Sequence, residues 1–368
     1  MKRLFITLII TVMMAVVYGC NQAPATTPAT TSPIRTEDTA NEITPDTTSP
    51  DAEDITSVPV LPKTPGEWVW HNPLPNGESV LSVAPTRLNE VWGTSSTNVF
   101  AVGTDGVIVH YDGVSWRNME SGVKSNLNDI WGSSPTDIFA VGDKGAIVHY
   151  DGMKWGRMDS GTEEPLIDVS GSSATDVFAV SNEGTIFLFD GKSWRIAEFD
   201  IGQNLVCWDA WGSSSSDIFI PSRYLGDIAD IFHFDGIGWL PMNSGHTYES
   251  INCIWGSSPT EVYAAAYASA EGKSNIIYYN GSQWILLLSA AETWFWDIWA
   301  SSPSDIFAVG VHGTIMHYDG TEWTTMYEDE SLISLRGIWG SGSEVFTVGY
   351  AGTILYYSTL SKDLISDL

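Results

Sequence analysis

The sequence predicts an all-β protein, a seven-bladed β-propeller of four-stranded blades in which an N-terminal strand closes the last blade. Three observations predict this fold. A unit of about forty residues recurs seven times, each unit contains four strand-like runs, and the strand that the last unit lacks stands before the first unit. A four-stranded sheet repeated at this period is typical of a propeller blade, because radial repetition covers sheet edges that would otherwise be exposed.

A tryptophan-glycine pair places the seven units in register. Its first residue recurs at spacings of 39 to 44 residues, and serine replaces tryptophan in one unit. Self-similarity at a fixed period of this length predicts one structural unit per copy, and therefore seven blades. The column contains Trp92, Trp131, Ser170, Trp211, Trp255, Trp299 and Trp339.

Each unit has the composition of four short strands. The runs are four to six residues long, rich in Val, Ile, Phe, Tyr and Trp, and bounded by Gly, Asp, Asn and Ser. No run has a sustained period of 3.6 residues, so no helix is expected. An Asp-Gly pair before the fourth run predicts a hairpin turn with positive φ at both residues. These pairs begin at Asp112, Asp151, Asp190, Asp235 and Asp319.

The two ends of the repeat region complement each other. The seventh unit ends near Ser358 without a fourth run, whereas "EWVWH", Glu67 to His71, precedes the first complete unit. Pairing this N-terminal run with the last three strands would close the ring. The predicted propeller therefore spans residues 66–358, and residues 359–368 form a C-terminal tail.

Most of the tryptophans fall in two repeat columns. The chain contains 17 tryptophans, and twelve of them lie in the first-strand column given above or in a second column at the start of the fourth strands. Large flat side chains pack well between face-to-face sheets, so we interpret both columns as core between blades and not as a sugar-binding platform. The second column contains Trp116, Trp155, Trp194, Trp239, Trp284 and Trp323.

The N-terminal residues predict export and lipid attachment. Residues 1–20 carry Lys2 and Arg3, followed by an unbroken apolar run from Leu4 to Val17 that is too short for a spanning helix. Their end, "VYGC", resembles the bacterial lipobox, which implies cleavage before Cys20 and lipidation of that cysteine. An uncleaved N-terminal anchor is the alternative.

A tether follows the signal peptide. Residues 21–65 are rich in Thr, Pro, Ser and Ala and nearly free of large apolar side chains, which predicts a disordered segment. Together, the lipid and the tether predict a domain anchored to a membrane on the extracytoplasmic side of a bacterial cell envelope, in the periplasm or at the cell surface.

The charge balance and the cysteines restrict the partners further. The chain has 16 basic and 45 acidic side chains and a formal net charge of −29, which repels nucleic acid and excludes it as a partner. We expect a monomer. Cys207 and Cys253 lie in adjacent units at columns offset by two residues. Since a disulfide requires Cα atoms within about 7 Å, we predict free thiols.

The repeats resemble those of bacterial envelope lipoproteins with tandem "WGSSPxDIFAVGxxGxIxHYDGxxW" units, and more distantly propellers of the sialidase-repeat and photosystem-assembly-factor type. The resemblance covers Glu67 to about Ser358 and implies an architecture, with little implied about chemistry. The sialidase Asp-box has the pattern Ser-x-Asp-x-Gly-x-Thr-Trp, whereas "HYDGTEW" lacks that serine and is one residue tighter. This difference argues against a glycosidase.

Departures from the repeat predict the candidate binding surface. Three residues before the Trp-Gly pair, three units have asparagine and two have tryptophan. The connections between second and third strands are expanded in two neighbouring units, at Pro221–Ile231 and Ala266–Asn275. Such insertions often map to the binding face, and off-pattern aromatic residues suit sugar stacking or a protein contact. Drift in tolerant loops, with the aromatic residues packed against them, is the alternative. The candidate residues are Trp208, Arg223, Tyr224, Trp294, Trp296 and Arg336.

A further column, two residues before the Trp-Gly pair, is mostly acidic. Its carboxylates could hold a hard cation such as calcium, which prefers several oxygen ligands. We favour the alternative that each accepts hydrogen bonds from amides of its own blade or the next, since that role explains why the acid recurs. No other cofactor is expected. The five acids are Glu90, Asp129, Asp168, Asp209 and Asp297.

No recognisable catalytic motif is present. His110, His149, His233 and His317 share a third-strand column in which leucine and tyrosine also occur, so they are not expected to be ligands. No nucleophile elbow, zinc motif or phosphate-binding loop follows a suitable strand. We therefore expect a non-catalytic scaffold or assembly module that binds a protein or a glycan of the envelope. The alternative is a carbohydrate-active enzyme, a glycosidase or lyase, that uses the acidic column.

Overall fold

The computed structural model describes residues 66–72, 79, 81, 87–197, 205–224, 229–245, 248–268, 272–291, 293–328 and 334–359. The predicted signal peptide with Cys20, the tether, and the tail beyond Thr359 lie outside the described residues. In the described ranges no helix is long and apolar enough to cross a membrane. Three 3-10 turns connect second to third strands: η1 (Thr104–Gly106), η2 (Asp143–Gly145) and η3 (Val311–Gly313).

Seven antiparallel sheets form the blades, which confirms the predicted seven-bladed propeller. In blades 1 to 6 the strands pair in chain order, as short connections between successive apolar runs require. Blade 1 contains β2 (Leu88–Ser95), β3 (Asn98–Gly103), β4 (Ile108–Tyr111) and β5 (Trp116–Met119). Blade 2 contains β6 (Leu127–Ser134), β7 (Asp137–Gly142), β8 (Ala146–Tyr150) and β9 (Trp155–Met158). Blade 3 contains β10 (Leu166–Ser173), β11 (Asp176–Ser181), β12 (Ile186–Phe189) and β13 (Trp194–Ile196).

Blade 4 has an interrupted inner strand. Its two parts both pair with the second strand of the blade, and three residues separate them. Blade 4 contains β14 (Leu205–Cys207), β15 (Trp211–Ser214), β16 (Asp217–Tyr224), β17 (Ala229–Phe234) and β18 (Trp239–Pro241). Blade 5 contains β19 (Ser250–Ser258), β20 (Glu261–Ala268), β21 (Lys273–Tyr279) and β22 (Trp284–Ala291). Blade 6 contains β23 (Phe295–Ser302), β24 (Asp305–Gly310), β25 (Ile315–Tyr318) and β26 (Trp323–Tyr327).

Blade 7 is built from both ends of the propeller. Its first three strands are β27 (Leu335–Ser341), β28 (Glu344–Gly349) and β29 (Ile354–Ser358), and its outer strand is β1 (Glu67–Asn72). β1 runs antiparallel to β29. The predicted closure by an N-terminal strand is therefore confirmed.

The hydrophobic core consists of seven clusters, one at each junction between neighbouring blades. Cys207 belongs to the cluster between blades 3 and 4, and Cys253 to the cluster between blades 5 and 6. Both cysteines are buried and no disulfide joins them, because two different junctions hold them. The prediction that Cys207 and Cys253 are not bridged is confirmed.

The first-strand tryptophans fill the space between blades, as predicted. The ring of Trp92 reaches the glycine of the next Trp-Gly pair so closely that a Cβ on Gly132 would lie 2.6 Å from its Cη2. Gly93, Gly171, Gly256 and Gly340 likewise provide the room that the tryptophan of the preceding blade occupies, whereas blade 6 has Ala300 at this position. In blade 3, where Ser170 replaces tryptophan, Phe178 fills the corresponding space beside Gly212.

The acid that closes each first-to-second turn has a structural role. Asp137 Oδ1 lies 2.7 Å from His149 Nε2, and Ser133 Oγ donates a hydrogen bond to the other oxygen of the same carboxylate. The serine contacts the acid and not the histidine, which is not the order of a nucleophilic triad. The same arrangement recurs in blades 4 and 6, around Asp217 and Asp305.

The Asp-Gly turns differ from the expectation. Among the described residues, glycines such as Gly113, with φ of 88°, have positive φ, whereas Asp112 does not. The connection between β4 and β5 has four residues, and Asp112 Oδ1 accepts hydrogen bonds from the N–H groups of Val114 (3.0 Å) and Ser115 (2.9 Å). The prediction of two positive φ angles is wrong because an Asx turn, and not a two-residue hairpin loop, joins these strands.

The two expanded connections are longer hairpins and not long loops. In blade 4 the ladder of β16 and β17 extends to the pair Arg223 and Ala229, and in blade 5 the ladder of β20 and β21 extends to Ala268 and Lys273. The chain between the paired ends, at 225–228 and 269–271, lies outside the described residues. The insertions of blades 4 and 5 therefore add sheet at one face of the ring.

The contact between Trp92 and Gly132 predicts a large effect for one methyl group. Gly132→Ala should destabilise the protein by ~2 to 3 kcal/mol, since the added Cβ meets the Trp92 ring and the Asp137 carbonyl oxygen, 2.9 Å away. Gly156→Ala is the matched control, because nothing lies within 4 Å of a Cβ there. Thermal and denaturant unfolding measure both variants. Equal stability of the two would contradict this account of how the blades pack.

Candidate functional site

The asparagines three residues before the Trp-Gly pair connect neighbouring blades. Asn89 Nδ2 donates to the Leu127 carbonyl at 2.6 Å, and Asn128 Nδ2 donates to the Leu166 carbonyl at 2.8 Å. Asn252 makes the equivalent bond from blade 5 to blade 6 at 3.3 Å. Because first strands contact first strands around the ring, these side chains lie near the start of the inner strands, at one mouth of the central channel. Asparagine in this column is thus explained by ring assembly.

Two of the residues that replace asparagine contact each other. The guanidinium carbon of Arg336 in blade 7 lies 4.2 Å from the ring centroid of Trp296 in blade 6, a cation–π contact. Trp296 is also adjacent to Trp294, with ring centroids 6.0 Å apart. The structure therefore brings together three of the predicted site residues.

The extended hairpin of blade 5 supports this group. Tyr267, in the part of β20 that the insertion adds, stacks on Trp294 with a centroid distance of 4.5 Å. Ser274 on β21 donates a hydrogen bond to the Thr293 carbonyl at 2.7 Å. The insertion and Trp294 are thus parts of one packed structure. This agrees with the alternative that this tryptophan packs against the expanded connection and does not bind a ligand by itself.

Trp208 lies apart from this group. It follows β14, in the interruption of the inner strand of blade 4, and 38% of its surface is exposed. Among the described residues Trp208 makes no ring contact. Arg223 and Tyr224 lie on β16, where they pair with Val206 and Leu205 of β14.

Arg87, which the sequence analysis did not select, completes the group. Its guanidinium carbon lies 5.7 Å from the ring centroid of Tyr350, and the backbones of these two residues form a bridge between blades 1 and 7. Its buried Nε has no hydrogen-bond partner among the residues that the structure describes. One feature of the sequence could have indicated Arg87. It is a basic residue five positions before the Trp-Gly pair, where other blades have residues such as Asn126, Pro165 and Ser334. We call the following residues the mouth cluster: Arg87, Tyr267, Trp294, Trp296, Arg336 and Tyr350.

The two arginines of the mouth cluster form no ion pair with any residue that the structure describes. Burial, and next the positive charge of Arg87, lower the pKa of Arg336 to about 10. Within the described part of the chain the only arginine in an ion pair is Arg117, which contacts Asp112. Like charges brought together in a partly buried place cost free energy, so the pair requires another explanation than ring stability.

The acidic column mostly performs the structural role that we favoured. Asp129 Oδ2 accepts the Val169 N–H at 2.7 Å, Asp209 Oδ2 accepts the Ile254 N–H at 2.8 Å, and these bonds join one blade to the next. Asp297 makes the same bond to Ile338 at 2.7 Å. Glu90 accepts the N–H of Val91 in its own blade at 2.9 Å.

The same carboxyl groups lie close to one another, with Asp168 buried and the other four half-buried. Burial raises the pKa of Asp129 to about 7 and that of Asp209 to about 6. Burial, followed by the neighbouring acids, raises the pKa of Glu90, Asp168 and Asp297 well above the usual range. In the described ranges no three acids, histidines or cysteines are arranged to hold a metal ion. Calcium binding therefore stays a prediction without geometric support.

Comparisons with known proteins show solved structures that share this fold. No family model and no curated protein matches the chain. The chain is similar to a solved structure of YCF48 bound to D1 peptide, with 17% identity, a TM-score of 0.62, and coverage of 82% of this chain and 99% of that chain. YCF48 from Cyanidioschyzon merolae gives 13% identity, a TM-score of 0.63, and coverage of 79% and 99%. The WD40 β-propeller domain of Doa1 gives 14% identity, a TM-score of 0.59, and coverage of 76% and 94%. At these identities the similarity shows the fold alone.

The buried acids predict an unusual pH dependence. A raised pKa means that the folded protein binds the proton more tightly than the unfolded chain does. These groups therefore stabilise the fold fully below about pH 4, and the stabilisation is lost as the pH rises through their folded pKa values. Asp168→Asn removes one ionisation and should raise the melting temperature by several degrees at pH 8, and by less at pH 5.

Asp319→Asn is the control for this experiment. Asp319 lies in an exposed turn, and hydrogen bonds from Thr321 and Glu322 lower its pKa to about 2. Its replacement should stabilise the protein at neither pH. An Asp168→Asn effect that is equal at pH 5 and pH 8, or a destabilisation at pH 8, would show that the acidic column is not a cluster of strained carboxyl groups.

Proposed function

We propose that this chain is a lipid-anchored, extracytoplasmic scaffold or assembly module that binds a protein through the channel mouth, at the mouth cluster and Trp208. The observation that carries the proposal is the contact between Arg336 and Trp296. These residues occupy positions where other blades have an asparagine that connects the ring, and within the described ranges they make no equivalent bond. They give up one interblade hydrogen bond each, ~1 kcal/mol, and place a cation and aromatic rings at the mouth of the channel.

The geometry favours a protein over a glycan. A sugar platform requires a free aromatic face, but Arg336 covers a face of Trp296 at 4.2 Å and Tyr267 covers a face of Trp294 at 4.5 Å. Tryptophan, tyrosine and arginine are the residues most enriched at the energetic centres of protein interfaces. The exposed Trp208 adds an apolar contact on the same face.

The similar structures support a protein-binding role in general. One of them is YCF48 bound to D1 peptide, and another is the WD40 propeller domain of Doa1. The fold presents a ring of short connections on a rigid scaffold, which is a common arrangement for binding. For this chain the partner would be a protein of the bacterial cell envelope, because the lipobox-like "VYGC" at Cys20 and the tether at 21–65 would hold the propeller beside a membrane.

A carbohydrate-active enzyme is the second candidate, and one pair of acids favours it. Burial raises the pKa of both Asp168 and Asp209, and the charges of neighbouring acids raise that of Asp168 further; an acid and a base in catalysis require pKa values that differ in this way. However, Asp209 already accepts the N–H groups of Ala210 and Ile254. Its oxygens are thus used to join blades 4 and 5, which explains the pair without catalysis.

Site-directed photo-crosslinking tests the proposed binding face. A photoreactive residue in place of Trp208 should crosslink a protein in the bacterial envelope fraction, and mass spectrometry would identify it. The control position is Met153, which is 84% exposed in the connection between β8 and β9 on the opposite face. With the identified protein purified, Trp208→Ala should weaken binding by about tenfold or more, whereas Met153→Ala should leave the affinity unchanged.

Three outcomes would contradict the proposal. The first is a protein crosslinked from position 153 and not from position 208. The second is an unchanged affinity of the Trp208→Ala variant with its fold intact. The third is capture of a glycan in place of a protein at position 208.

A further inference from the structure

We propose that Arg87 and Arg336 form a carboxylate-binding subsite at the junction of blades 7 and 1, and that the carboxylate belongs to a peptide segment of the bound protein. This inference rests on the proposed function and names the chemistry that the channel mouth recognises. Arg336 lies on β27, the inner strand of blade 7, and Arg87 directly precedes β2, the inner strand of blade 1.

Both arginines belong to a strongly acidic chain. The chain has 45 acidic side chains against 16 basic ones, so a partner for an arginine is readily supplied. Nevertheless, among the described residues no carboxylate oxygen lies within the 4 Å of an ion pair from either guanidinium. The nearest acids in electrostatic terms are Glu90 and Asp297, and burial raises the pKa of both well above the usual range.

Each of the two guanidinium groups packs against an aromatic ring. Arg336 lies over Trp296 and Arg87 over Tyr350, so an aromatic ring backs each guanidinium. Stacking of this kind leaves the N–H groups at the edge of the guanidinium free to donate in its plane. A carboxylate accepts two such donors in parallel, which makes a stacked arginine a suitable ligand for it.

Several hydrogen-bond donors at this mouth have no partner among the described residues. They are the buried Nε of Arg87 and the hydroxyl groups of Thr293 and Ser334. The Nε1 atoms of Trp294 and Trp296 are unpartnered too, but tryptophans elsewhere in the ring share this property, so they add little. Donors without acceptors favour a ligand that is rich in acceptors and negatively charged.

A peptide carboxylate has two sources, the C-terminus and the side chains of Asp and Glu. Affinity selection from two synthetic pools of random heptapeptides distinguishes them, one pool with free and one with amidated C-termini. The probe protein is the full chain without its lipid, as the variant Cys20→Ser without residues 1–19. We expect retained peptides to carry a carboxylate. Retention from the free-acid pool alone assigns the C-terminus, and enrichment of Asp or Glu in both pools assigns a side chain.

Variants connect the retained peptide to the arginines. Arg336→Gln and Arg87→Gln should each weaken its binding by about tenfold or more, since hydrogen bonds to a charged group are lost. Arg117→Gln is the matched control, because Arg117 is exposed on the outer strand β5 and pairs with Asp112. Its affinity should be unchanged. Melting temperatures of all three variants report whether the fold is retained.

Several results would overturn the inference. They are retained peptides without a carboxylate, no retained peptide from either pool, affinities that both Gln variants leave unchanged, and arginine-dependent binding of an oligogalacturonate in place of peptides. If the protein identified through position 208 binds normally to both Gln variants, the carboxylate subsite is wrong and the protein-binding function stands. If Trp208→Ala has no effect but the arginine variants do, the subsite stands and the wider interface needs another location.

Discussion

The hydrogen bonds and packing contacts from each inner strand to the next are the interaction on which this structure depends. Three devices repeat around the ring: a tryptophan that occupies the space beside the next glycine, an asparagine that donates to the next blade, and an acid that accepts an amide there. In the described part of the chain no disulfide closes the ring. Its last blade is completed by β1, whose pairing with β29 joins the two ends of the propeller.

The acids that join the blades carry a free-energy cost, because their carboxyl groups are partly removed from water. Asp129, Asp209 and Asp297 use their oxygens to join blades, and burial raises their pKa values as a consequence. A repeated architecture distributes this cost over several junctions, since each blade contacts only its neighbours. Individual positions can then lose a connecting residue without loss of the ring. Trp208, Trp296 and Arg336 occupy such positions, and they are the ones available for binding.

The fold could be predicted from the sequence because its signals are periodic. The Trp-Gly column set the number of blades, and "EWVWH" indicated how the ring closes. The prediction of the turn geometry at Asp112 was wrong because an Asp-Gly pair does not determine the length of the loop. The two insertions continue as strands, since the alternating residues of Ala266 to Ala268 suit a ladder as well as a loop.

The candidate site was only partly predictable. Trp294, Trp296 and Arg336 could be selected because they break a column, and the structure brings them into contact. Arg87 could not be selected in this way, since its column is variable and its meaning depends on a neighbour more than 200 residues away in the chain. Its proximity to Arg336 follows from ring closure, which joins blade 1 to blade 7. Pairs that meet across a closure have no local sequence signal.

We infer that the binding face is formed at the positions where the asparagine that connects neighbouring blades is replaced. Hydrogen–deuterium exchange on the complex with the purified partner tests it most directly, because exchange reports every amide at once. The account predicts slower exchange on binding at the starts of the inner strands of blades 4, 6, 7 and 1, around Trp208, Trp296, Arg336 and Arg87. Protection confined to the Asp-Gly turns of the opposite face, such as those at Asp112 and Asp151, would contradict it.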